Sequence, residues 1–345
     1  MSIITIIGAG MMGSAIGVPA ADNGNEVRLV GTPLDSEIIR HAKQTGEHLT
    51  LKRQLPGTFR YFPFEDLDIA LEQSELIVSA VSSFGVEWFA QNVLKKISNV
   101  LPILILTKGM YLEENGSLIT YPEYYTRQFP DQEFSFNAVG GPCTSYELVD
   151  HDQTEVCFAG SDPLVLAGLR EIFETDYYHV STSTDLTGLE VAAAMKNAYA
   201  LAVCMAVGLS EAANADGHPN YNSQAALFGQ GVREIMRLLE IYGGGAENIV
   251  YAAGDMYVTI FGGRTRKLGI LLGKGTGIHE AMEELKDVTL ESAVIAERTA
   301  KAVRTLIAQG KASAEEFPLM VFLDQVINKG QQRVIPWSLF EVQAN

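Results

Sequence analysis

The sequence predicts an α/β protein with an N-terminal, mostly parallel sheet followed by an all-helical C-terminal domain. Three observations carry this. From Ile3 to about Ser181 short apolar runs alternate with helical stretches. A glycine-rich turn joins the first run to the first helix, and after Asp185 the runs give way to long helical stretches. Strands that alternate with helices imply parallel pairing through crossover helices. The change of pattern places a domain boundary near Thr184, dividing residues 1–183 from 184–345.

Taken in order, strands are predicted at 3–7, 26–30, 76–81, 103–107, 134–139 and 156–159, with a first helix over 14–22. The later helices are predicted at 188–211, 224–242 and 289–309. The stretch from Gly188 is apolar on every side, with Glu190 and Lys196 as its only charges before Glu211, so it should run through the core. Its lysine therefore needs a reason to be there.

Length and composition bound the partners. The 345 residues suffice for two domains, and 47% hydrophobic with 19% charged residues describes a folded chain. Against 25 basic residues stand 42 acidic ones, a net charge of -17 that repels nucleic acid and anionic lipid. A small ligand is favoured, and an anionic one must be met by a local basic cluster. Cys143, Cys157 and Cys204 show no metal or redox spacing, which points to a reducing compartment and hence the cytoplasm. The chain enters its first strand without the features of a signal peptide, and no run is expected to reach membrane-spanning length, so no membrane insertion is expected. Extended apolar faces on the helical domain suggest a homodimer.

Gly8-Ala9-Gly10-Met11-Met12-Gly13 follows an apolar strand and opens a helix, the context in which G-x-G-x-x-G reads as a Rossmann dinucleotide turn. Gly8 permits the tight turn, Gly10 lets the backbone approach the pyrophosphate, and Gly13 lets helix pack on strand. The second strand ends in Val30-Gly31-Thr32-Pro33, with neither the acid that grips a ribose nor an arginine for a 2′-phosphate. The missing arginine favours NAD over NADP, with NADP kept open.

Several residues suit chemistry. Lys108, before Gly109, lies at the carboxyl end of a parallel strand, where such sheets bind ligands, although a strand-end lysine can equally snorkel to water. Lys196, beside Asn197, would cost several kcal/mol if buried alone. It should face a cavity and exchange a proton with a substrate oxygen, or else pair with Glu190 or another acid. Asp255 and Thr259 share a face if their segment is helical. Beyond them Gly262-Gly263-Arg264-Thr265-Arg266-Lys267 sets three cations in four residues, either an anion site or a solvated basic face. His41, His48, His151, His179, His218 and His279 show no ligand spacing; they read as surface or core histidines, and no metal is expected.

The ordered set Gly8-x-Gly10-x-x-Gly13, Lys108-Gly109, Gly141-Pro142, Glu147, Lys196-Asn197, Gly254-Asp255-x-x-x-Thr259 and Gly263-Arg264 resembles the NAD(P)-dependent glycerol-3-phosphate dehydrogenase family over nearly the whole chain. Ala192 to Asn197 is similar to that family's catalytic lysine helix, Phe261 to Lys267 to its phosphate loop, and Phe317-Pro318-Leu319 to a further segment. The resemblance implies that Lys196 is the general acid in ketone reduction and the base in the reverse direction, assisted by Lys108, Asp255 and Thr259. Arg264, with Thr265 and Asn197, would bind the substrate. Gly8, Gly10, Met11, Met12, Gly13, Ser82, Pro142 and Glu291, the last within Val288-Thr289-Leu290-Glu291-Ser292, would contact the cofactor. The implied reaction links dihydroxyacetone phosphate and sn-glycerol 3-phosphate.

Three departures from the family pattern leave room for a related polyol phosphate: Thr265 in place of asparagine, Asn222-Ser223-Gln224 in place of Asn-Thr-Lys, and the neutral end of the second strand. Two other readings are a dehydrogenase of a non-phosphorylated polyhydroxy or 2-hydroxy acid, with Arg264 meeting a carboxylate, and a non-catalytic NAD(P) sensor.

Overall fold

The computed structural model describes residues 1–97, 100–286, 290–331 and 334–340. Its strands are β1 (Ile3–Ile7), β2 (Glu26–Val30), β3 (Glu47–His48), β4 (Arg53–Gln54), β5 (Phe59–Phe62), β6 (Leu76–Ser79), β7 (Pro102–Ile105), β8 (Tyr111–Leu112), β9 (Leu118–Ile119), β10 (Ser135–Gly140), β11 (Thr154–Gly160) and β12 (Tyr178–Ser183). Eight of them form one sheet in the order β12-β11-β10-β7-β6-β1-β2-β5. Every neighbouring pair is parallel except β10 with β11. β1 is central, with β2 and β5 growing to one side and β6, β7 and β10 to the other. The order therefore reverses between β1 and β6, the kind of switch point at which doubly wound sheets open a crevice at their carboxyl ends.

The central strands have two covered faces, which explains their nearly continuous apolar sequence. Ile4, Ile6 and Ile7 of β1 and Ile77 and Val78 of β6 are fully buried. Thr5 is buried with them because its hydroxyl donates to Ala70 O at 2.8 Å. The expected mostly parallel sheet is present. Two strands of this sheet, β5 and β12, are not marked by apolar runs, because the alternating Phe-Arg-Tyr-Phe and the polar Tyr-His-Val-Ser-Thr-Ser lack one.

Contacts divide the chain into two units, Met1–Lys108 with Tyr121–Glu190, and Gly109–Thr120 with the chain from Val191 onward. The division falls a few residues beyond Thr184, inside the helix Leu186–Ala213. The second unit also takes the small antiparallel hairpin of β8 and β9, so it is helical with one hairpin added. Its other long helices are Tyr221–Tyr242, Ile249–Phe261, Gly263–Gly273, Glu291–Ala308 and Pro318–Ile327. The helix expected from Thr289 is described from Glu291, Thr289 itself lying outside the described residues.

One expectation needs correcting. The helix Leu186–Ala213 is long and apolar enough to cross a membrane, although no such run was anticipated. Its most apolar window is 94% buried inside the protein, and the alanine-rich sequence explains both its helicity and its close packing. In the same unit Glu234 ties three helices together. Its carboxylate accepts from Leu319 N at 2.7 Å, Met320 N at 3.0 Å, Gln230 Nε2 at 2.8 Å and Tyr199 Oη at 3.0 Å. It thereby satisfies orphan amides at the start of Pro318–Ile327. Burial pushes this carboxyl up to about 7, while its hydrogen bonds pull the other way.

Candidate active site

The turn after β1 is shaped by two glycines and opened by a third. Gly8 has φ +111°, and a Cβ there would meet Ala80 O at 2.7 Å. At Gly13 it would meet Gly8 O at 2.1 Å, so neither position accepts a side chain without moving backbone. At Gly10 a Cβ would meet nothing within 4 Å, so that backbone faces open space. Gly10 is the N-cap of the helix Met11–Asp22, which has no side-chain cap and no acid in its first turn. An uncapped helix start beside a bare glycine fits a pyrophosphate, whose negative charge answers the amides and the helix dipole. Met11 and Met12 are half-buried at this helix start, and Ser82 is exposed in the loop after β6, the strand beside β1.

The neutral end of β2 is compensated in space. Asp35, five residues beyond the strand, turns its carboxylate back so that Oδ2 accepts from Thr32 N at 2.9 Å, Thr32 Oγ1 at 2.7 Å and Ala9 N at 3.2 Å. An acid therefore does stand at this end of the sheet, occupied in holding the turn. His48 holds the other side of Ala9, with Nε2 3.0 Å from Ala9 O. Neither residue was singled out as functional from the sequence. Asp35 had a local signal, an aspartate just before a helix, whereas His48 reaches the turn only through tertiary structure.

Lys108 follows β7 by three residues, and its Nζ donates to Gly141 O at 3.2 Å. Gly141 and Pro142 follow β10, the parallel neighbour of β7, so the two loops emerge at the same carboxyl end of the sheet. Pro142 is half-buried. Glu147 accepts a hydrogen bond from the Thr144 hydroxyl at 2.5 Å in the same loop region.

In the helical unit, Lys196 is 6% exposed and Asp255 2%. Lys196 Nζ donates to Asp255 Oδ1 at 2.8 Å and to Thr259 Oγ1 at 2.8 Å. Thr259 spends its own proton on Asp255 O at 2.7 Å, which leaves its oxygen to accept from the ammonium. Asp255 and Thr259 lie one turn apart on Ile249–Phe261, as their spacing required. Glu190 is not the partner of Lys196; its carboxylate accepts from Tyr121 N at 3.3 Å. Asn197 is half-buried beside the lysine in sequence.

The residues of the basic loop are placed differently. Gly263 has φ +77° and starts the helix Gly263–Gly273, whose N-cap Gly262 lacks a side-chain cap. Arg264 is exposed at this helix start, where an anion is favoured, while Thr265 is buried. Arg266 turns back to donate to Ile260 O at 2.6 Å, near the end of the preceding helix, so it serves structure. Glu291 is half-buried at the first position of Glu291–Ala308.

Comparison with known proteins identifies the family. Residues 3–165 match the family model of the NAD-dependent glycerol-3-phosphate dehydrogenase N-terminus, and residues 185–334 that of its C-terminus. The NADP(+)-dependent glycerol-3-phosphate dehydrogenase of Archaeoglobus fulgidus is 36% identical, covering 82% of this chain and 84% of the relative. The glycerol-3-phosphate dehydrogenase [NAD(P)+] of Carboxydothermus hydrogenoformans is 30% identical, over 83% and 82%. In fold, the glycerol-3-phosphate dehydrogenase structure from Plasmodium falciparum matches with a TM-score of 0.82 at 20% identity, covering 100% of this chain and 96% of that one. A dinucleotide turn at a sheet switch point, a buried lysine–aspartate–threonine set and both family matches lead to one assignment: the chain belongs to the NAD-dependent glycerol-3-phosphate dehydrogenase family.

Proposed function

We propose that this chain catalyses the NAD(P)-dependent interconversion of dihydroxyacetone phosphate and sn-glycerol 3-phosphate, with Lys196 handling the proton. The observation that carries this reading is the Lys196 ammonium held at 2.8 Å by both Asp255 and Thr259. Two directed hydrogen bonds fix a long side chain that would otherwise sample many rotamers, and proton transfer depends on such placement. In reduction Lys196 gives a proton to the carbonyl oxygen, and in oxidation it takes one from the hydroxyl. Asp255 keeps the ammonium position electrostatically favourable, and Thr259 orients it.

The turn Gly8–Gly13 holds the dinucleotide by its pyrophosphate, with Ser82, Pro142 and Glu291 as further contacts. The reduced nicotinamide, when bound, supplies the hydride that adds to the carbonyl carbon. Lys108 assists at the carbonyl oxygen, and Arg264 meets the phosphate with a planar fork that lysine lacks, with Thr265 and Asn197 supporting the substrate.

The test is direct. Purified protein given NADH or NADPH with dihydroxyacetone phosphate should lose reduced-cofactor absorbance, and dihydroxyacetone without its phosphate should react far more slowly. No turnover with this or a related ketose phosphate defeats the proposal. We further propose a cytoplasmic homodimer that does not insert into membranes. The burial of Leu186–Ala213 inside the protein supports the absence of insertion, and light scattering of the purified protein measures the assembly.

A further inference from the structure

The glycine turn poses a physical problem: a pyrophosphate is gripped by backbone amides, yet glycine-rich backbone is the part of a chain that holds its amides least firmly. The hairpin β3–β4 answers it. His48, on β3, is fully buried. Its Nδ1 receives Thr50 N at 3.1 Å and Leu51 N at 3.0 Å. Backbone N–H groups only donate, so Nδ1 must be the accepting nitrogen and Nε2 must carry the hydrogen. Nε2 therefore donates to Ala9 O at 3.0 Å. On the other side Ala9 N–H is taken by Asp35 at 3.2 Å.

The carbonyl of Ala9 and the N–H of Gly10 belong to one trans peptide and point in opposite directions. Anchoring the carbonyl from one side fixes the Gly10 amide toward the other. The hairpin that carries His48 is itself secured, by fully buried Leu51 and by a two-pronged pair in which Arg53 Nε and Nη2 donate to Asp150 at 2.7 and 2.9 Å. We propose that His48 is a positioning residue for the dinucleotide turn, acting through the Ala9–Gly10 peptide to hold the Gly10 amide toward the cofactor pyrophosphate. This rests on the reading of Gly8–Gly13 as the NAD(P) site.

The experiment compares His48→Asn and His48→Gln with the wild type by NADH fluorescence titration and steady-state kinetics. Asparagine can still accept from Thr50 and Leu51 but is too short to reach Ala9; glutamine can reach Ala9 as a donor. His48→Asn should weaken NADH binding roughly tenfold, the effect of one directed hydrogen bond, with kcat at saturating NADH within about twofold of wild type. His48→Gln should recover most of the affinity.

Binding by His48→Asn equal to wild type overturns the proposal, as does a loss confined to kcat. A wild type that binds neither NADH nor NADPH defeats instead the reading of the turn, which keeps the two failures distinct. Should His48→Asn not fold, ¹⁵N-histidine NMR of the wild type decides. The imidazole signal lost in His48→Gln should show a single Nε2–H tautomer at neutral pH and shift when NADH is added. A signal that mixes tautomers like a free imidazole, or that ignores NADH, counts against the proposal.

Discussion

Lys196 and Asp255 meet at 2.8 Å in an ion pair of which 8% and 2% of the respective side chains are exposed. Removing one member leaves the other charge buried without its counterion. Lys196→Met should thus cost about 3–5 kcal/mol in urea unfolding, and turnover should fall roughly 10²–10⁴-fold. The double variant Lys196→Met/Asp255→Asn should regain most of that stability and none of the turnover. Equal stability of single and double variants would show that the pair is not a coupled buried charge.

Arg264 and Arg266 are two residues apart but differently placed, the first exposed at a helix start and the second bonded to Ile260 O. Arg264→Ala should raise KM for dihydroxyacetone phosphate roughly 10- to 100-fold, the worth of hydrogen bonds to a charged group. The slow turnover of dihydroxyacetone itself should be untouched. Arg266→Ala removes a bond to Ile260 O, so its first effect should be a lower melting temperature. A KM change of equal size with both substrates would remove the phosphate from Arg264.

How much of this could be read from the chain depends on sequence distance. The turn at Gly8 was legible because all its determinants lie within one strand-to-helix junction. The face shared by Asp255 and Thr259 was legible because helical geometry sets it. The meeting of Lys196 with Asp255 spans 59 residues, and only the family resemblance linked them. His48 looked like any core histidine because its role exists only where β3 passes the turn, and three clustered cations gave no hint that Arg266 turns inward. Asp35 was overlooked since it lies past the strand end and reaches back through Thr32.

Gly10 and Gly13 separate binding from folding. A methyl at Gly13 would sit 2.1 Å from Gly8 O, whereas at Gly10 it enters open space. Gly13→Ala should therefore lower the melting temperature and yield little folded protein. Gly10→Ala should melt like wild type but lose NADH affinity, because on the proposed reading of the turn the methyl would occupy the approach of the pyrophosphate. Thermal melts paired with NADH titration distinguish the two, and normal NADH binding by Gly10→Ala would place the pyrophosphate elsewhere.

Glu190 supplies a pH dependence with a definite sign. It is 4% exposed, and burial pushes its carboxyl up to about 8, against the pull of the Tyr121 N–H. A carboxyl raised on folding binds its proton more tightly in the native state than in the unfolded chain, where it titrates near 4.5. Its contribution is thus fully favourable below the unfolded value, declines as pH rises, and levels off above about 8, for a total change of a few kcal/mol. Glu190→Gln keeps an oxygen for Tyr121 N but has no charge to bury. The variant should match wild type at about pH 4, below the unfolded value, and become progressively more stable than it up to about pH 8, as read by urea midpoints across that range. Parallel curves would mean that Glu190 stays solvated enough to ionise at its ordinary value, and that the Tyr121 amide is a stronger partner than its single 3.3 Å bond implies.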